Sequence, residues 1–205
     1  MDKAILASLY VSMLDPSINA YDRIKLRLPI GQQLYDSRVK QLIKMGLVER
    51  SDPSKLTFIG RDALKVVLVG GVFDLIHPGH IHTLQAAKEQ GDVLVVIIAR
   101  TTTAQKIKRD RKIYHNENQR RELVSSLSFV DLALIGHEGT LYDSVEYVKP
   151  NVIALGYDQA HSEKDVAENC KKRNLNVHVI RLSTPIPGLK SSKIKEELGD
   201  SIYGI

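Results

Sequence analysis

Two histidines, His77 and His80, follow a strand-like apolar run and a glycine pair within residues 66–80. The glycines, Gly70 and Gly71, let the backbone turn sharply and approach a ligand closely. If a helix begins at about His77, both imidazoles project from nearly the same side of its first turn, beside backbone amides that favour anions. This arrangement suits phosphoryl or nucleotidyl transfer, in which a protein mainly positions phosphates and stabilises their charge.

The His-x-x-His spacing is a weak signal by itself, because two partly exposed histidines at a helix start, or two metal ligands, also produce it. A zinc site needs at least one more ligand, and the neighbouring sequence offers no cluster of Cys, His and Glu. The strand, the glycine turn and Phe73-Asp74 favour a phosphate site, since such a motif depends on its strand–turn–helix setting. We therefore expect a phosphate site and no metal ligand from the protein.

Strand-like runs alternate with helical segments after Lys65. Strands are expected at 66–69, 93–99, 132–135, 152–155 and 177–180, and helices at roughly 81–90, 117–126, 141–148, 163–173 and 191–198. The alternation predicts an α/β fold with a doubly wound, Rossmann-like parallel sheet. A ligand then belongs at the carboxyl ends of the strands, where the strand order reverses.

The first 64 residues follow another pattern. Helical spacing over 2–14, 19–28 and 31–45 precedes two strand-like runs, 46–50 and 55–60, around the turn Asp52-Pro53-Ser54. Three helices and a β-hairpin are the layout of a winged helix, and this hairpin resembles the wing of many prokaryotic transcription regulators. We expect a small winged helix-turn-helix domain over 1–64 and an α/β domain over 65–205.

Composition sets broad limits on this chain. Its 205 residues, 43% of them hydrophobic, can form one medium α/β domain and a small second one. A single cysteine, Cys170, excludes an internal disulfide. The sequence has no signal peptide and no apolar stretch long enough for a bilayer, so we expect a cytoplasmic protein without membrane contact. The net charge of +5 fits nucleotide or nucleic-acid binding without deciding between them.

The segment 71–80, Gly-Val-Phe-Asp-Leu-Ile-His-Pro-Gly-His, resembles the signature of the small nucleotidyltransferases. This superfamily includes glycerol-3-phosphate cytidylyltransferase, phosphopantetheine adenylyltransferase and archaeal FAD synthase. The resemblance runs from about Lys65 to Leu198. It implies a nucleotidyltransferase domain over 65–205 that transfers a nucleoside monophosphate from ATP or CTP to a phosphorylated acceptor and releases pyrophosphate. It also implies Mg²⁺ bound with the nucleotide, and we expect a homodimer.

The resemblance also implies roles for individual residues. The cations at 106–112 are by composition a solvated face, but the family places phosphate-contacting lysines there. Arg120 matches a family arginine that reaches the active site, although it could simply pair with Glu117 or Glu122. Ser191 could be a helix N-cap, yet it and Ser192 match hydroxyls that bind the β- and γ-phosphates. The expected catalytic residues are His77, His80, Lys106 and Arg120, and the expected substrate- and nucleotide-binding residues are Gly71, Val72, Phe73, Asp74, Lys108, Gly156, Tyr157, Asp158, Ser191 and Ser192.

The likeness is strongest to archaeal FAD synthase, through Ala99-Arg100, the segment 119–122 and Gly156-Tyr157-Asp158-Gln159. It implies that ATP and FMN give FAD. Two alternatives stay open: a CTP-dependent enzyme similar to glycerol-3-phosphate cytidylyltransferase, and a regulator whose winged helix binds DNA while the second domain senses a nucleotide. Val72 stands where the family has Thr, Thr101 where it has Asp, and Lys190 where it has a hydroxyl.

Overall fold

The computed structural model describes residues 1–107, 113–157 and 159–183. Its helices are α1 Asp2–Leu14, α2 Ala20–Arg27, α3 Gln32–Lys44, α4 Phe58–Asp62, α5 Pro78–Lys88, α6 Thr101–Ile107, α7 Glu117–Ser125, α8 Leu141–Val148 and α9 Glu163–Lys172. Its strands are β1 Val66–Gly71, β2 Val93–Ile98, β3 Leu132–Ile135, β4 Val152–Leu155 and β5 His178–Arg181. The chain divides into one compact unit of Met1–Val66 with Gly91–Val93 and a second unit that begins at Val67.

The five strands form one sheet in the order β3-β2-β1-β4-β5. β2 pairs in parallel with β3, and β4 pairs in parallel with both β1 and β5. The chain moves outward from β1 through β2 to β3 and then returns to the other side of β1, so the strand order reverses between β1 and β4. The prediction of a doubly wound parallel sheet is confirmed, and the ligand edge lies at the carboxyl ends of β1 and β4.

The central strands are apolar because both of their faces are covered. Every residue of β2 is buried, as are the first four residues of β1 and all of β4. Such continuous β-branched runs are typical of parallel strands between two helical layers. The polar side chains that could perform chemistry are therefore confined to the loops that follow the strands, where β1, β2 and β4 end.

The first unit matches the prediction in its three helices but differs after them. Within residues 1–64, all of which the structure describes, the strand-like pairing is a single antiparallel bridge between Val48 and Leu56. The prediction of a strand at 55–60 is wrong, because α4 begins at Phe58, within this segment. The Thr57 hydroxyl accepts a hydrogen bond from the Gly60 amide at 3.0 Å and caps this helix. The winged-helix assignment of residues 1–64 stays a prediction.

A helix, α6, occupies Thr101–Ile107, and its last two residues belong to the segment 106–112 that the sequence suggested as a basic loop. It begins three residues after β2 ends, at the ligand edge of the sheet. Across the three described ranges, no helix combines the length and apolar character needed to cross a membrane.

Candidate active site

The two histidines lie side by side at the start of α5. His77 is the N-cap residue, Pro78 occupies the first turn, and the His80 amide donates to the His77 carbonyl at 2.9 Å. The ring centroids of the histidines are 4.0 Å apart with 34° between the ring planes. Both side chains are half-buried, and the Nδ1 atom of each is buried. The structure thus brings the predicted pair together at the positive end of a helix dipole.

Phe73 supports this pair from the preceding turn. It adopts a left-handed backbone conformation with φ of 52°, which is uncommon for an aromatic residue. The buried Phe73 ring lies 5.4 Å from the His80 ring, centroid to centroid. A Cβ atom on Gly71 would lie 2.6 Å from the Phe73 ring, so any larger residue at this position would force the buried ring to move. Gly71 and Phe73 therefore shape the turn that presents the histidines.

Asp74 anchors the loop 113–116 to this turn. Its buried carboxylate accepts hydrogen bonds from the amides of Tyr114, at 3.1 Å, and His115, at 2.9 Å. The His115 Nδ1 atom lies 2.9 Å from the Asp74 carbonyl oxygen. Because a carbonyl oxygen can only accept, His115 must carry its proton on Nδ1. The described contacts of Asp74 are structural, and its predicted role in binding substrate or nucleotide stays a prediction.

Arg120 is enclosed by backbone carbonyls and one hydroxyl. Its side chain has no exposed surface, and its guanidinium donates to three backbone carbonyls: His115 at 2.9 Å, Val72 at 2.8 Å and Ala99 at 2.7 Å. A fourth hydrogen bond reaches the Thr101 hydroxyl at 3.3 Å. Arg120 thus joins the ends of β1 and β2 to the loop 113–116. These described hydrogen bonds hold the strand ends in position, and the predicted contact of Arg120 with phosphates stays a prediction.

Burial is the largest influence on the pKa of Arg120. Desolvation lowers the pKa of Arg120, while the negative charges of Asp74 and Glu117 act in the opposite direction. The helix that carries Arg120 starts as predicted, with the Asn116 side chain accepting from the amides of Asn118 and Gln119. This cap fixes where α7 begins and therefore where Arg120 enters the core.

Thr101, found where the family has Asp, takes part in the same network. Its hydroxyl donates to the Glu117 carboxylate and accepts from Arg120. The hydrogen bond from Thr101 is the largest cause that lowers the pKa of Glu117. Thr101 therefore links Arg120 to the Glu117 carboxylate through a neutral hydroxyl.

The loop after β4 meets the end of β1. Gly156 is buried and Tyr157 is half-buried, while the Gln159 side-chain amide donates to the Gly70 carbonyl at 2.7 Å. A methyl group of Leu141, at the start of α8, lies 3.8 Å from the position that a Gly70 Cβ atom would occupy. The loop predicted to bind the nucleoside is thus placed at the point where the strand order reverses.

Other predicted residues lie outside this description. Lys108, Asp158, Ser191 and Ser192 fall outside the described residues, as does Lys190, and only the backbone of Lys106 is described. Their contacts with the triphosphate stay predictions. Sequence reasoning did not select His115 or Arg181 as site residues, and it noted Gln159 only as part of the motif 156–159. The partners of these three side chains are distant in sequence, so no local pattern indicated them.

The chain resembles known proteins over most of its α/β unit. The cytidylyltransferase-like family matches residues 68–197. FAD synthase of Aciduliprofundum boonei is 47% identical over 116 residues, which are 57% of this chain and 76% of that protein. FAD synthase of Picrophilus torridus is 44% identical over 126 residues, 62% of this chain and 89% of that protein.

A solved structure agrees with these matches. The lipopolysaccharide core biosynthesis protein of Thermoplasma volcanium is 40% identical with a TM-score of 0.57, and the match covers 59% of this chain and 98% of that one. The prediction of a nucleotidyltransferase is confirmed by the family match and by the FAD synthase relatives. The chain belongs to the cytidylyltransferase-like family and is a relative of archaeal FAD synthases.

Proposed function

We propose that this nucleotidyltransferase transfers AMP from ATP to FMN and thereby produces FAD and pyrophosphate. The observation that carries the proposal is the similarity to archaeal FAD synthases. The cytidylyltransferase-like match over residues 68–197 includes the histidine pair, the Arg120 network and the loop after β4. The placement of these three features at one edge of a doubly wound sheet agrees with binding of a nucleotide there.

The reaction is an in-line displacement at the α-phosphorus of ATP. An oxygen of the FMN phosphate forms the new bond to that phosphorus, and the bond to the bridging oxygen of the β-phosphate breaks, so pyrophosphate leaves with the electron pair. Negative charge is then redistributed over the phosphate oxygens. His77 and His80, at the amino-terminal end of α5, donate hydrogen bonds to these oxygens and stabilise the charge.

The other residues hold this end of the sheet in place. Arg120 fixes the ends of β1 and β2, and Asp74 fixes the loop 113–116 against the turn that carries the histidines. Such a rigid arrangement contributes to catalysis because the donors need no rearrangement as charge develops. Contacts from Lys106, Lys108, Ser191 and Ser192 to the triphosphate belong to the same proposal and rest on the family resemblance.

A divalent metal ion accompanies the nucleotide in this family, and we propose Mg²⁺. Within the described ranges, no group of three or more His, Cys, Asp or Glu side chains is arranged to hold a metal ion. The Asp74 carboxylate is bonded to backbone amides. The described residues therefore do not form a protein cage for Mg²⁺, which commonly binds through substrate phosphates and water.

The decisive experiment is a pyrophosphate-release assay that crosses ATP and CTP with FMN and glycerol 3-phosphate. FAD formed from ATP and FMN, identified by chromatography against authentic FAD, is the expected result. Turnover of CTP with glycerol 3-phosphate and none of ATP with FMN would establish the cytidylyltransferase alternative instead. Absence of turnover with every pair, in protein shown to bind ATP, would favour the nucleotide-sensing alternative.

For residues 1–64 we propose contact with DNA. On α3, Gln32, Gln33, Ser37 and Lys40 are exposed, as a recognition surface requires. Arg38, on the same helix, forms a bidentate ion pair with Asp2 at 2.5 Å. The proposal of DNA contact therefore rests on the exposed side chains of Gln32, Gln33, Ser37 and Lys40. The expected homodimer stays a prediction that light scattering of the purified protein would test.

A further inference from the structure

Arg181, the last residue of β5, uses every donor of its guanidinium on the segment 156–163. Its Nη1 atom donates to the carbonyls of Gly156, at 2.9 Å, and Gln159, at 3.1 Å. Its Nη2 atom donates to the His161 carbonyl at 2.5 Å. Nε and Nη2 also form a bidentate pair with the Glu163 carboxylate, at 2.9 and 2.8 Å. A guanidinium has five N–H groups in a fixed plane, and here three are directed at the loop after β4 and two at Glu163, the first residue of α9.

Arg181 and Glu163 form a partly exposed pair. Their side chains are 28% and 42% exposed, so solvent screens the attraction and we expect a small effect on global stability. The hydrogen bond to Arg181 is the largest cause that lowers the pKa of Glu163. The charge pair therefore holds the guanidinium in one orientation, and its planar geometry imposes that orientation on the loop.

The hydrogen bonds from Arg181 determine the direction in which the peptide groups of the loop after β4 point. In a planar trans peptide the carbonyl of one residue and the amide of the next point in opposite directions. Since Arg181 draws the carbonyls of Gly156 and Gln159 toward itself, the amides of Tyr157 and Ala160 point away from it. The bond from the Gln159 side chain to Gly70 then fixes the loop beside the end of β1.

We propose that Arg181 is a positioning residue that orders the loop after β4 for recognition of the nucleoside of ATP. It does not touch the substrate. It fixes which backbone groups face the base and ribose, and thus sets the affinity for ATP and the preference for adenine over cytosine. This inference rests on the proposed function. Preorganisation of a loop lowers the entropy lost on binding, so its removal weakens binding more than it slows the chemical step.

The test compares Arg181→Ala, Arg181→Lys and Glu163→Gln with the wild type. Lysine keeps the charge but cannot make the planar set of bonds, and Glu163→Gln keeps the bonds to the carbonyls. The matched control is Arg173→Lys, because Arg173 also pairs with a carboxylate, Glu146 at 3.5 Å, on another segment of the chain.

For Arg181→Ala we expect KM for ATP to rise about tenfold, with kcat within about threefold and KM for FMN unchanged, since only nucleoside binding is weakened. The ratio of kcat/KM for ATP to that for CTP should fall by a similar factor. Arg181→Lys should resemble Arg181→Ala, Glu163→Gln should lie between them and the wild type, and Arg173→Lys should match the wild type.

An unchanged KM for ATP and an unchanged ATP-to-CTP ratio in the folded variants would overturn the inference about Arg181 while FAD formation by the wild type stands. If Arg181→Ala does not fold, Arg181→Lys and Glu163→Gln decide by the same two quantities. If the wild type makes no FAD, the proposed function fails, and calorimetric titration with ATP and with CTP decides the inference. Equal affinities in wild type and Arg181→Ala would then overturn it.

Discussion

The Nη1 atom of the buried Arg120 lies 2.8 Å from the carbonyl oxygen of Val72. The family places a threonine at position 72, yet the bond that joins this position to the core uses the backbone and is independent of the side chain. The departure at Val72 therefore leaves the frame of the site intact. What it changes is the side chain presented beside the histidine turn, where a methyl group replaces a hydroxyl.

Replacement of either histidine should abolish most of the activity without unfolding the protein. His77→Ala and His80→Ala each remove a donor at the reacting phosphates, and loss of one such donor commonly lowers kcat about 10²-fold. Turnover of ATP and FMN is the measurement, with circular dichroism to confirm the fold. His82→Ala is the control, because His82 is exposed on the same helix. Wild-type rates in both active-site variants would contradict the assignment.

Arg120→Met should destabilise the protein. The carbonyls of Val72, Ala99 and His115, three half-buried residues, each lose a hydrogen bond. A fully buried acceptor without a partner costs about 1–3 kcal/mol, and access of water lowers this cost at half-buried positions. We expect a decrease of about 3 kcal/mol in the free energy of unfolding, measured in urea. Arg121→Met, at an exposed position of the same helix, should change it little. Equal stability of the two variants would refute the positioning role.

The Thr101–Glu117 hydrogen bond predicts how the stability of the protein depends on pH. It lowers the pKa of Glu117 below the ordinary value of 4.5, and Thr101→Val should return that pKa toward 4.5. A group with a lowered folded-state pKa contributes stability above its unfolded pKa, and the contribution is lost as the pH falls through the folded value. The stability difference between wild type and Thr101→Val should therefore be present at pH 7 and shrink below about pH 4.5. Carboxyl NMR titration measures the shift directly, and Thr102→Val, at an exposed position, is the control.

The first unit should bind duplex DNA with an affinity that falls with salt. Each phosphate contact contributes a slope of about −0.9 in a plot of log K against log salt concentration. Fluorescence anisotropy at two salt concentrations measures this slope, and Lys40→Ala should weaken binding, since Lys40 is exposed on α3. Arg173→Ala, which alters a basic residue of α9's carboxyl end, is the control. Lack of binding at low salt would leave residues 1–64 without a role in contacting DNA.

Local sequence patterns were sufficient for the elements of the α/β unit. The apolar runs, the glycine pair and the His77-Pro78 boundary predict a strand, a turn and a helix, because hydrophobic period and backbone permissiveness act within a few residues. The same reasoning failed at 55–60, where alternation favoured a strand while the cap from Thr57 to Gly60 produced α4. Because a capping hydroxyl acts over three residues, the signal for α4 was present in the sequence. The alternation of apolar residues was given more weight than this cap.

The sequence by itself determined the alternation of strands and helices, the histidine pair and the family. Only the tertiary structure decided the partners of the polar side chains. Asp74 binds an amide 40 residues away, Arg120 a carbonyl 48 residues away, and Gln159 a carbonyl 89 residues away. Periodicity reports which face of an element is buried and carries no information about which distant carbonyl a buried donor will meet. That pairing depends on strand order, because the order places the ends of β1, β2 and β4 within reach of the same side chains.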